Sequence, residues 1–256
     1  MTKALIFDCD GVLADTELDG HLVAFNRAFE ELGHEFRWSP EEYARLLKVG
    51  GGKERLRAYL ADHPEIDFAR GRPLDEAVAE LHARKSAIYV ELVEAGALPA
   101  RPGVRRIVEE AFAAGWQVAV ASTSAEKSVR AVLKSVIGEE NYARVDGVYA
   151  GDIVPAKKPA PDIYDLAVRE LGRDRSEVVV VEDSEAGAKA AEAAGLTHIV
   201  TVSHFTTQDP FPAAAAVVTH LGDPGTPAEL LAGSDVLDGG VVHLEALDAL
   251  LVNAPA

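Results

Sequence analysis

The sequence is poor in cysteine and in basic residues. Its 256 residues include a single cysteine, Cys9, and 25 lysine and arginine residues against 42 aspartate and glutamate residues. One cysteine cannot form an intramolecular disulfide or a thiolate metal cluster, so we expect a reducing compartment and a small buried side chain at this position. The formal charge of −17 argues against nucleic acid and anionic membranes as partners, because both attract basic surfaces.

Long apolar runs are also absent. No run approaches the roughly 18 residues that a membrane-spanning helix needs. The first run, residues 4–7, stops at Asp8 and does not fit the apolar part of a signal peptide. We therefore expect a soluble, cytoplasmic protein with no membrane partner. Since the sequence shows neither a heptad repeat nor a long exposed apolar face, we expect a monomer.

Short apolar runs alternate with helical patterns along most of the chain. The runs are rich in β-branched residues and too short for helices, which is typical of a parallel sheet with helices on both faces. The predicted strands are residues 4–7, 118–121, 178–181, 198–202 and 216–218, and the predicted core helices lie near residues 104–114, 162–171 and 186–194. The rest of residues 205–233 contains several prolines and is predicted to be a loose surface region.

The connection between the first two predicted strands is much longer than the ~12 residues that a crossover between parallel strands needs. It carries three helical patterns: one that ends at Gly33, one that starts with a capping box at Ser39 and runs to the glycines at 50–52, and one through residues 78–92. We predict an inserted helical cap domain over residues 17–97 and an α/β core formed by residues 1–16 and 98–256. Hinge motion is expected near residues 12–20 and 97–103.

Two carboxylates, Asp8 and Asp10, follow the first predicted strand. Residues i and i+2 of an extended chain face the same side, so both acids are expected to point at one place, where they need a cation or a proton between them. Ligands of such sheets bind beyond the carboxyl ends of the strands. Further polar groups in positions to join them are Ser122-Thr123-Ser124, Lys157-Lys158-Pro159 and Glu182-Asp183.

These groups match the needs of phosphate ester hydrolysis. An attacking carboxylate forms an acyl phosphate and splits the displacement into two steps, while a second acid can protonate the leaving oxygen and then deprotonate water. Hydroxyl and N–H groups at a helix start hold phosphate oxygens, and a lysine offsets their charge. Additional carboxylates bind a hard cation such as Mg²⁺. The sequence therefore predicts a site for phosphoryl transfer.

The same residues, in this order, resemble the haloacid dehalogenase (HAD) superfamily of phosphohydrolases. The resemblance is carried by Asp8-Cys9-Asp10-Gly11-Val12, Ser122, Lys158-Pro159 and Glu182-Asp183. It implies a Rossmann-like HAD core with a parallel sheet and an inserted α-helical cap of the C1 type. It also implies that Asp8 is the nucleophile, that Asp10 is the general acid and base, and that Ser122 and Lys158 hold the phosphoryl group.

The resemblance further implies a Mg²⁺ site. Its ligands are Asp8, Asp10 through its backbone carbonyl, and Asp183, and Glu182 is a ligand either directly or through water. Dehalogenases of the superfamily lack the second aspartate and transport ATPases carry threonine there. Asp10 therefore points to a phosphatase or to a sugar phosphomutase.

A second resemblance, to the CbbY-type xylulose-1,5-bisphosphate phosphatases, extends over nearly the whole chain. It is carried by Asp15-Thr16-Glu17, Gly50-Gly51-Gly52-Lys53-Glu54-Arg55, Leu81-His82-Ala83-Arg84-Lys85, Ser122-Thr123-Ser124-Ala125-Glu126-Lys127 and Gly151-Asp152-Ile153-Val154-Pro155. It implies a small-molecule sugar phosphate as the partner, with the sugar and its second phosphate bound by Glu17, Gly52, Lys53, Arg55 and Lys85. Further candidates for substrate contacts are His21, Tyr43, Gly51, Thr123 and Ser124.

Several of these residues have a structural alternative. Lys53, Arg55 and Lys85 could form solvated helix faces, Tyr43 could pack inside the cap, and a lone histidine such as His21 is more often structural. Two alternative functions also remain. A β-phosphoglucomutase-like isomerase shares all core elements, and a non-catalytic phosphosugar-binding protein could use the same scaffold.

Overall fold

The computed structural model describes residues 2–49 and 51–252; Met1, Gly50 and residues 253–256 lie outside the described residues. The chain forms two compact units, which we call the core unit (Met1–Asp15 and Leu98–Ala256) and the helical unit (Thr16–Ala97). Thr16, predicted for the core, belongs to the helical unit. No helix among the described residues is long and apolar enough to span a membrane.

In the part of the helical unit that the structure describes, a π-helical turn is followed by four α-helices. The turn spans Thr16–Leu22, and the helices are α1 (Val23–Glu31), α2 (Pro40–Leu46), α3 (Gly52–Asp62) and α4 (Leu74–Glu94). Ser39 caps α2 by accepting a hydrogen bond from the backbone N–H of Glu42, as the capping box predicted. The prediction that this helix runs to the glycines was wrong, because α2 ends at Leu46 and Gly51 instead precedes α3 with a positive φ of 89°.

The core unit contains a seven-stranded sheet in the order β3-β2-β1-β4-β5-β6-β7 within the described residues. Its strands are β1 (Ala4–Phe7), β2 (Gln117–Ser122), β3 (Gly147–Ala150), β4 (Val178–Glu182), β5 (Thr197–Thr201), β6 (Ala216–Val218) and β7 (Leu230–Gly233). Strands β1 to β6 pair in parallel, which confirms the predicted parallel core. The outer strand β7 pairs antiparallel with β6.

Two strands of this sheet, β3 and β7, were not predicted, and both lie at its edges. All four residues of β7 are exposed, and three of the four in β3 are only half-buried. Both strands are short, and β7 contains no β-branched residue, the feature that marks the central strands in the sequence. Residues 205–233 are therefore not only the loose region that we expected, because they end in a strand of the sheet.

Helices cover the sheet. They are α5 (Val104–Ala113), α6 (Glu126–Ile137), α7 (Glu139–Tyr142), α8 (Asp162–Leu171), α9 (Glu185–Ala193) and α10 (Leu244–Val252). On one face, α8 and α9 pack against alternate residues of the central strands, including Ile6, Ala121 and Val180. Strand β1 is completely buried, and Cys9 after it is 1% exposed. Cys9 is therefore a small buried side chain, as expected, and its burial raises the pKa of the thiol.

Candidate active site

Three carboxylates meet at the carboxyl ends of β1 and β4. Phe7, the last residue of β1, pairs with Val181 of β4, so Asp8 after β1 comes close to Glu182 and Asp183 at the end of β4. Carboxylate oxygens of Asp8, Glu182 and Asp183 lie within 4.8 Å of one another, and all three residues are buried. The structure thus brings together three of the four residues that we predicted as metal ligands.

Lys158 lies inside this acidic cluster. Its ammonium group donates to Asp8 Oδ1 at 2.7 Å, to Glu182 Oε1 at 2.7 Å and to the backbone carbonyl of Ala121 at 2.9 Å. Three acceptors match the three donors of an ammonium group, so its position is well defined. The adjacent Lys157 is exposed and pairs with Asp152, as expected for a solvated lysine.

Burial and mutual repulsion shift the acid–base properties of the cluster. Burial raises the pKa of Asp8 to about 7, with Glu182 and Asp10 adding to the shift and Lys158 opposing it. Burial also raises the pKa of Asp183 well above its usual range. For Lys158, burial favours the neutral form, but Asp8 and Glu182 outweigh it and raise the pKa. One lysine does not neutralise three carboxylates, and this oxygen-rich, electron-rich group fits a hard divalent cation.

Gly11 makes the approach of Asp183 to the loop after β1 possible. It has a positive φ of 78°, and any Cβ at this position would overlap the carboxylate of Asp183. The backbone N–H of Gly11 donates to the carbonyl of Ala14 at 2.9 Å, which closes a tight turn directly after Asp10. A glycine is therefore required here both for the backbone conformation and for the space that Asp183 occupies.

The loop Ser122–Ser124 has a contact that the sequence did not predict. The hydroxyl of Ser124 donates to Asp10 Oδ2, and the backbone N–H of Ser124 donates to Ser122 Oγ at 3.2 Å. Ser122 is buried, whereas Thr123 and Ser124 are half-buried. We expected these residues only to contact phosphate, but Ser124 also orients the second aspartate.

Both carboxylate oxygens of Glu182 accept hydrogen bonds from other groups of the protein. Oε1 accepts from Lys158 and from the hydroxyl of Tyr164, and Oε2 accepts from the backbone N–H of Asp183 at 3.1 Å. The Tyr164 ring also lies below the lysine, 4.8 Å from Nζ to the ring centroid. The sequence did not predict the role of Tyr164, because its position in the helical pattern indicates only a buried residue of α8.

A second polar cluster lies in the helical unit and contains Glu17, Tyr43 and Arg55. The hydroxyl of Tyr43 donates to Glu17 Oε2 at 2.6 Å and accepts from Arg55 Nη1 at 2.7 Å. Tyr43 is fully buried and Arg55 is 9% exposed. Tyr43 therefore packs inside the helical unit and at the same time connects two predicted substrate-binding residues.

Lys85 and His21 form a neighbouring pair in the same unit. Lys85 Nζ lies 3.0 Å from His21 Nδ1 and 5.0 Å from the centroid of the Phe25 ring. An ammonium group can only donate, so Nδ1 accepts and the proton of the imidazole is on Nε2. Burial, with Lys85 and Arg55 nearby, holds the pKa of His21 well below its usual range. His21 is thus a neutral hydrogen-bond donor through Nε2.

The predicted substrate-binding residues of the helical unit differ in their burial. The solvated-face alternative is wrong for Arg55 and Lys85, because both side chains are buried. Lys53 is exposed, so for this residue the alternative stays open. Gly51 is exposed and Gly52 is half-buried at the first turn of α3. Gly50 of the same motif lies outside the described residues.

Comparison with known proteins identifies the family. A family model described as haloacid dehalogenase-like hydrolase matches residues 2–195. The chain belongs to the haloacid dehalogenase-like hydrolases. It is 46% identical over 229 residues to the CBBY-like protein of Arabidopsis thaliana, covering 88% of this chain and 70% of that protein. It is also 43% identical to the plasmid-encoded CbbY protein of Cupriavidus necator, with 88% of both chains covered.

Solved structures agree with this placement. A crystal structure of a CbbY variant from Rhodobacter sphaeroides in complex with xylulose-1,5-bisphosphate has a TM-score of 0.69 and 37% identity, covering 86% of this chain and 95% of that one. A putative β-phosphoglucomutase from Thermotoga maritima has a TM-score of 0.65 and 26% identity, covering 99% of this chain and 100% of that one. The predicted HAD fold is confirmed, and the chain is a CbbY-like member of this hydrolase family.

Proposed function

We propose that the enzyme hydrolyses xylulose-1,5-bisphosphate to xylulose 5-phosphate through a phosphoryl group bound covalently to Asp8. The observation that carries this proposal is the buried contact of Asp8 with Lys158, next to Asp183. A carboxylate in this setting can attack phosphorus while the adjacent cation offsets the charge of the transferring group. The choice of sugar is supported by the CbbY relative that was crystallised with this bisphosphate.

The residues of the core unit have separate tasks in the proposed reaction. Asp8 attacks phosphorus, and the bond from phosphorus to the sugar oxygen breaks. Asp10 donates a proton to that leaving oxygen and then removes a proton from the water that attacks the acyl phosphate. Ser124 orients Asp10 through the hydrogen bond to Oδ2. Ser122 holds an oxygen of the phosphoryl group, and Lys158, which contacts the attacking carboxylate, offsets the charge of that group.

Asp8, Asp183 and the backbone carbonyl of Asp10 would hold a Mg²⁺ ion. When bound, Mg²⁺ supplies positive charge that stabilises the phosphoryl group during transfer and reduces the repulsion among the carboxylates. Glu182 has hydrogen bonds on both oxygens, which favours a role in positioning Lys158 over direct coordination of the ion.

We expect Mg²⁺ to raise the thermal unfolding midpoint. Because ionised Asp8 and Asp183 repel each other in the folded protein, the folded state should bind the ion far more tightly than the unfolded chain. At a concentration 100 times the Kd, the added stability is about 2.7 kcal/mol, and the midpoint should rise by about 5–10 °C. Differential scanning calorimetry with and without Mg²⁺ measures this shift.

Two variants control the calorimetry. Asp183→Asn removes one proposed ligand and should abolish most of the shift. Asp152→Asn changes an exposed carboxylate that pairs with Lys157 and should leave the shift intact. A shift of equal size in the Asp183 variant would show that the ion binds elsewhere.

The buried cations of the helical unit suit the second phosphate of the substrate. Arg55 and Lys85 are 9% and 7% exposed, respectively. Nε of Arg55 has no hydrogen-bond partner among the described residues, and a buried guanidinium donor without a partner is costly. An anionic oxygen would satisfy it. We assign to Arg55, Lys85, Glu17 and the Nε2 donor of His21 the recognition of the sugar and its distal phosphate.

A phosphate-release assay tests the proposed substrate. We expect xylulose-1,5-bisphosphate to be preferred over pentose and hexose monophosphates, with one equivalent of inorganic phosphate released per sugar. The reason is that two buried cations in the helical unit can bind a second phosphate. Hydrogen bonds to charged groups contribute about 1.5–3 kcal/mol each. A panel of mono- and bisphosphorylated sugars, analysed for phosphate and for sugar isomers, gives the comparison.

Neighbouring residues of α4 provide the matched control. Lys85→Met should raise KM for the bisphosphate by at least about 10-fold and leave hydrolysis of p-nitrophenyl phosphate unchanged. Arg84→Met should change neither, because Arg84 pairs with Glu31 and Glu91 at the surface. Conversion of a sugar phosphate into an isomer without phosphate release would instead favour a mutase, the function suggested by the name of the Thermotoga maritima relative.

A further inference from the structure

Arg101 makes an unusual set of hydrogen bonds in the core unit. It lies three residues after the chain returns to this unit at Leu98. Its guanidinium donates to four backbone carbonyls: from Nη1 to Gly11 and, at 3.0 Å, to Thr201, and from Nη2 to Val202 and Thr219, both at 2.6 Å. One planar group therefore collects acceptors from three separate segments of the chain.

Each of these segments is close to the proposed reaction centre or to the sheet that supports it. Gly11 follows Asp10 directly and touches Asp183. Thr201 and Val202 lie at the carboxyl end of β5, and Thr219 follows β6. Arg101 thus ties the loop that carries Asp10 to the carboxyl edge of two neighbouring strands.

Backbone contacts strengthen this tie. The N–H of Arg101 donates to the carbonyl of Leu13 at 2.9 Å, and Ala14 forms an antiparallel bridge with Ala100. Val12, Leu13 and Ala14 are at most 1% exposed. The parts of the predicted hinge at residues 12–14 and 100–101 are therefore packed and hydrogen-bonded within the core unit, and they hold the Asp10 loop in place.

We infer that Arg101 is a positioning residue for phosphoryl transfer, an inference that rests on the proposed function. It fixes the backbone around Gly11 and thereby the distance of Asp10 from the leaving oxygen. Lysine cannot replace it, because an ammonium group lacks the planar fork that reaches four carbonyls in two directions. Since Asp10 acts on the proton transfers, a displaced loop lowers kcat and leaves KM for the sugar almost unchanged.

The test compares Arg101→Lys with Arg106→Lys. Arg106 is a matched control in the same unit: its Nη2 donates to three backbone carbonyls, those of Leu221, Gly222 and Val242, and none belongs to the Asp10 loop. We expect Arg101→Lys to lower kcat by roughly 10- to 100-fold, because a misplacement of about 1 Å has effects of this order. KM should stay within about 2-fold. Arg106→Lys should keep both constants.

Amide hydrogen exchange provides a readout that does not need activity. The N–H groups of Gly11 and Leu13 donate to the carbonyls of Ala14 and Cys9. Their exchange should accelerate in Arg101→Lys and stay slow in Arg106→Lys. If wild-type enzyme hydrolyses no sugar phosphate, the proposed function fails, and the exchange data still decide whether Arg101 orders the loop.

Three results would overturn the inference. The first is an unchanged kcat in Arg101→Lys. The second is that Arg106→Lys loses as much kcat as Arg101→Lys when the two variants have lost the same thermal stability. The third is unchanged hydrogen exchange at Gly11 and Leu13 in Arg101→Lys. The second result would mean that Arg101 contributes to stability alone.

Discussion

Asp8→Asn is expected to lower kcat for xylulose-1,5-bisphosphate by at least about 10⁴-fold, because loss of a covalent nucleophile has effects of this size or larger. The amide keeps the volume of the side chain and its hydrogen-bonding reach toward Lys158. It cannot form an acyl phosphate. Steady-state assays of phosphate release, with the variant at high enzyme concentration, measure the loss.

The same substitution should not unfold the protein. Burial raises the pKa of Asp8 from 3.8 to about 7, which means that the folded state disfavours the ionised form. Ionisation of Asp8 therefore lowers the free energy of unfolding as the pH rises from about 4 to 7, and this decrease is complete above that range. Without Mg²⁺ at pH 8, Asp8→Asn should be at least as stable as the wild type.

Mass spectrometry of quenched reactions separates the nucleophile from other roles. During turnover by the wild type, a phosphoryl group should appear on the peptide that contains Asp8, and it should be missing from the asparagine variant. Turnover by a correctly folded variant within about 100-fold of the wild type would contradict the covalent mechanism, since the remaining groups alone cannot supply that rate.

Lys158→Met has the second large effect and should damage both stability and catalysis. The substitution leaves Asp8 and Glu182 in a buried site without their cation, and removing one partner from a buried ion pair costs about 3–5 kcal/mol. We expect kcat to fall roughly 10²- to 10³-fold, as when a group that stabilises the charge of a transition state is removed. Urea unfolding and phosphate-release kinetics measure the two effects.

A double variant separates the two effects of Lys158→Met. Adding Glu182→Gln removes one of the unpaired charges, and it should restore part of the stability without restoring turnover. Lys157→Met is the control, because this exposed neighbour pairs only with the surface residue Asp152 in the contacts that the structure describes. If the double variant regained turnover, Lys158 would act through stability and not on the phosphoryl group.

Much of the core could be predicted from local patterns. The apolar runs at residues 4–7 and 216–218 coincide with β1 and β6, because strands inside a parallel sheet are buried on both faces and their side chains show it. Asp8 and Glu182-Asp183 directly follow such runs, so their meeting at one edge of the sheet could be anticipated. Strand β7 was missed because its short apolar run, Leu230–Gly233, contains no β-branched residue.

Contacts over long sequence distances could not be predicted in this way. Arg101 reaches partners that lie 90 to 118 residues away along the chain, and all of them are backbone carbonyls, which every residue type possesses. The contact of Tyr164 could not be predicted either, because its hydroxyl donates to a carboxylate oxygen of Glu182, 18 residues away along the chain. A residue pattern records neither partner, since the period of a helix shows which face is buried but not what it touches.

The sequence by itself determined the order of the reactive groups along the chain, the alternation of strands and helices, and the resemblance to HAD phosphatases. These properties depend on neighbours within a few residues, and the family matches agree with them. Only the tertiary structure decided that Arg55 and Lys85 are buried, that Ser124 holds Asp10 and that Arg101 holds Gly11. Burial and hydrogen-bond partners arise when distant segments pack together, and this packing sets the charge balance and the positions on which the proposed chemistry depends.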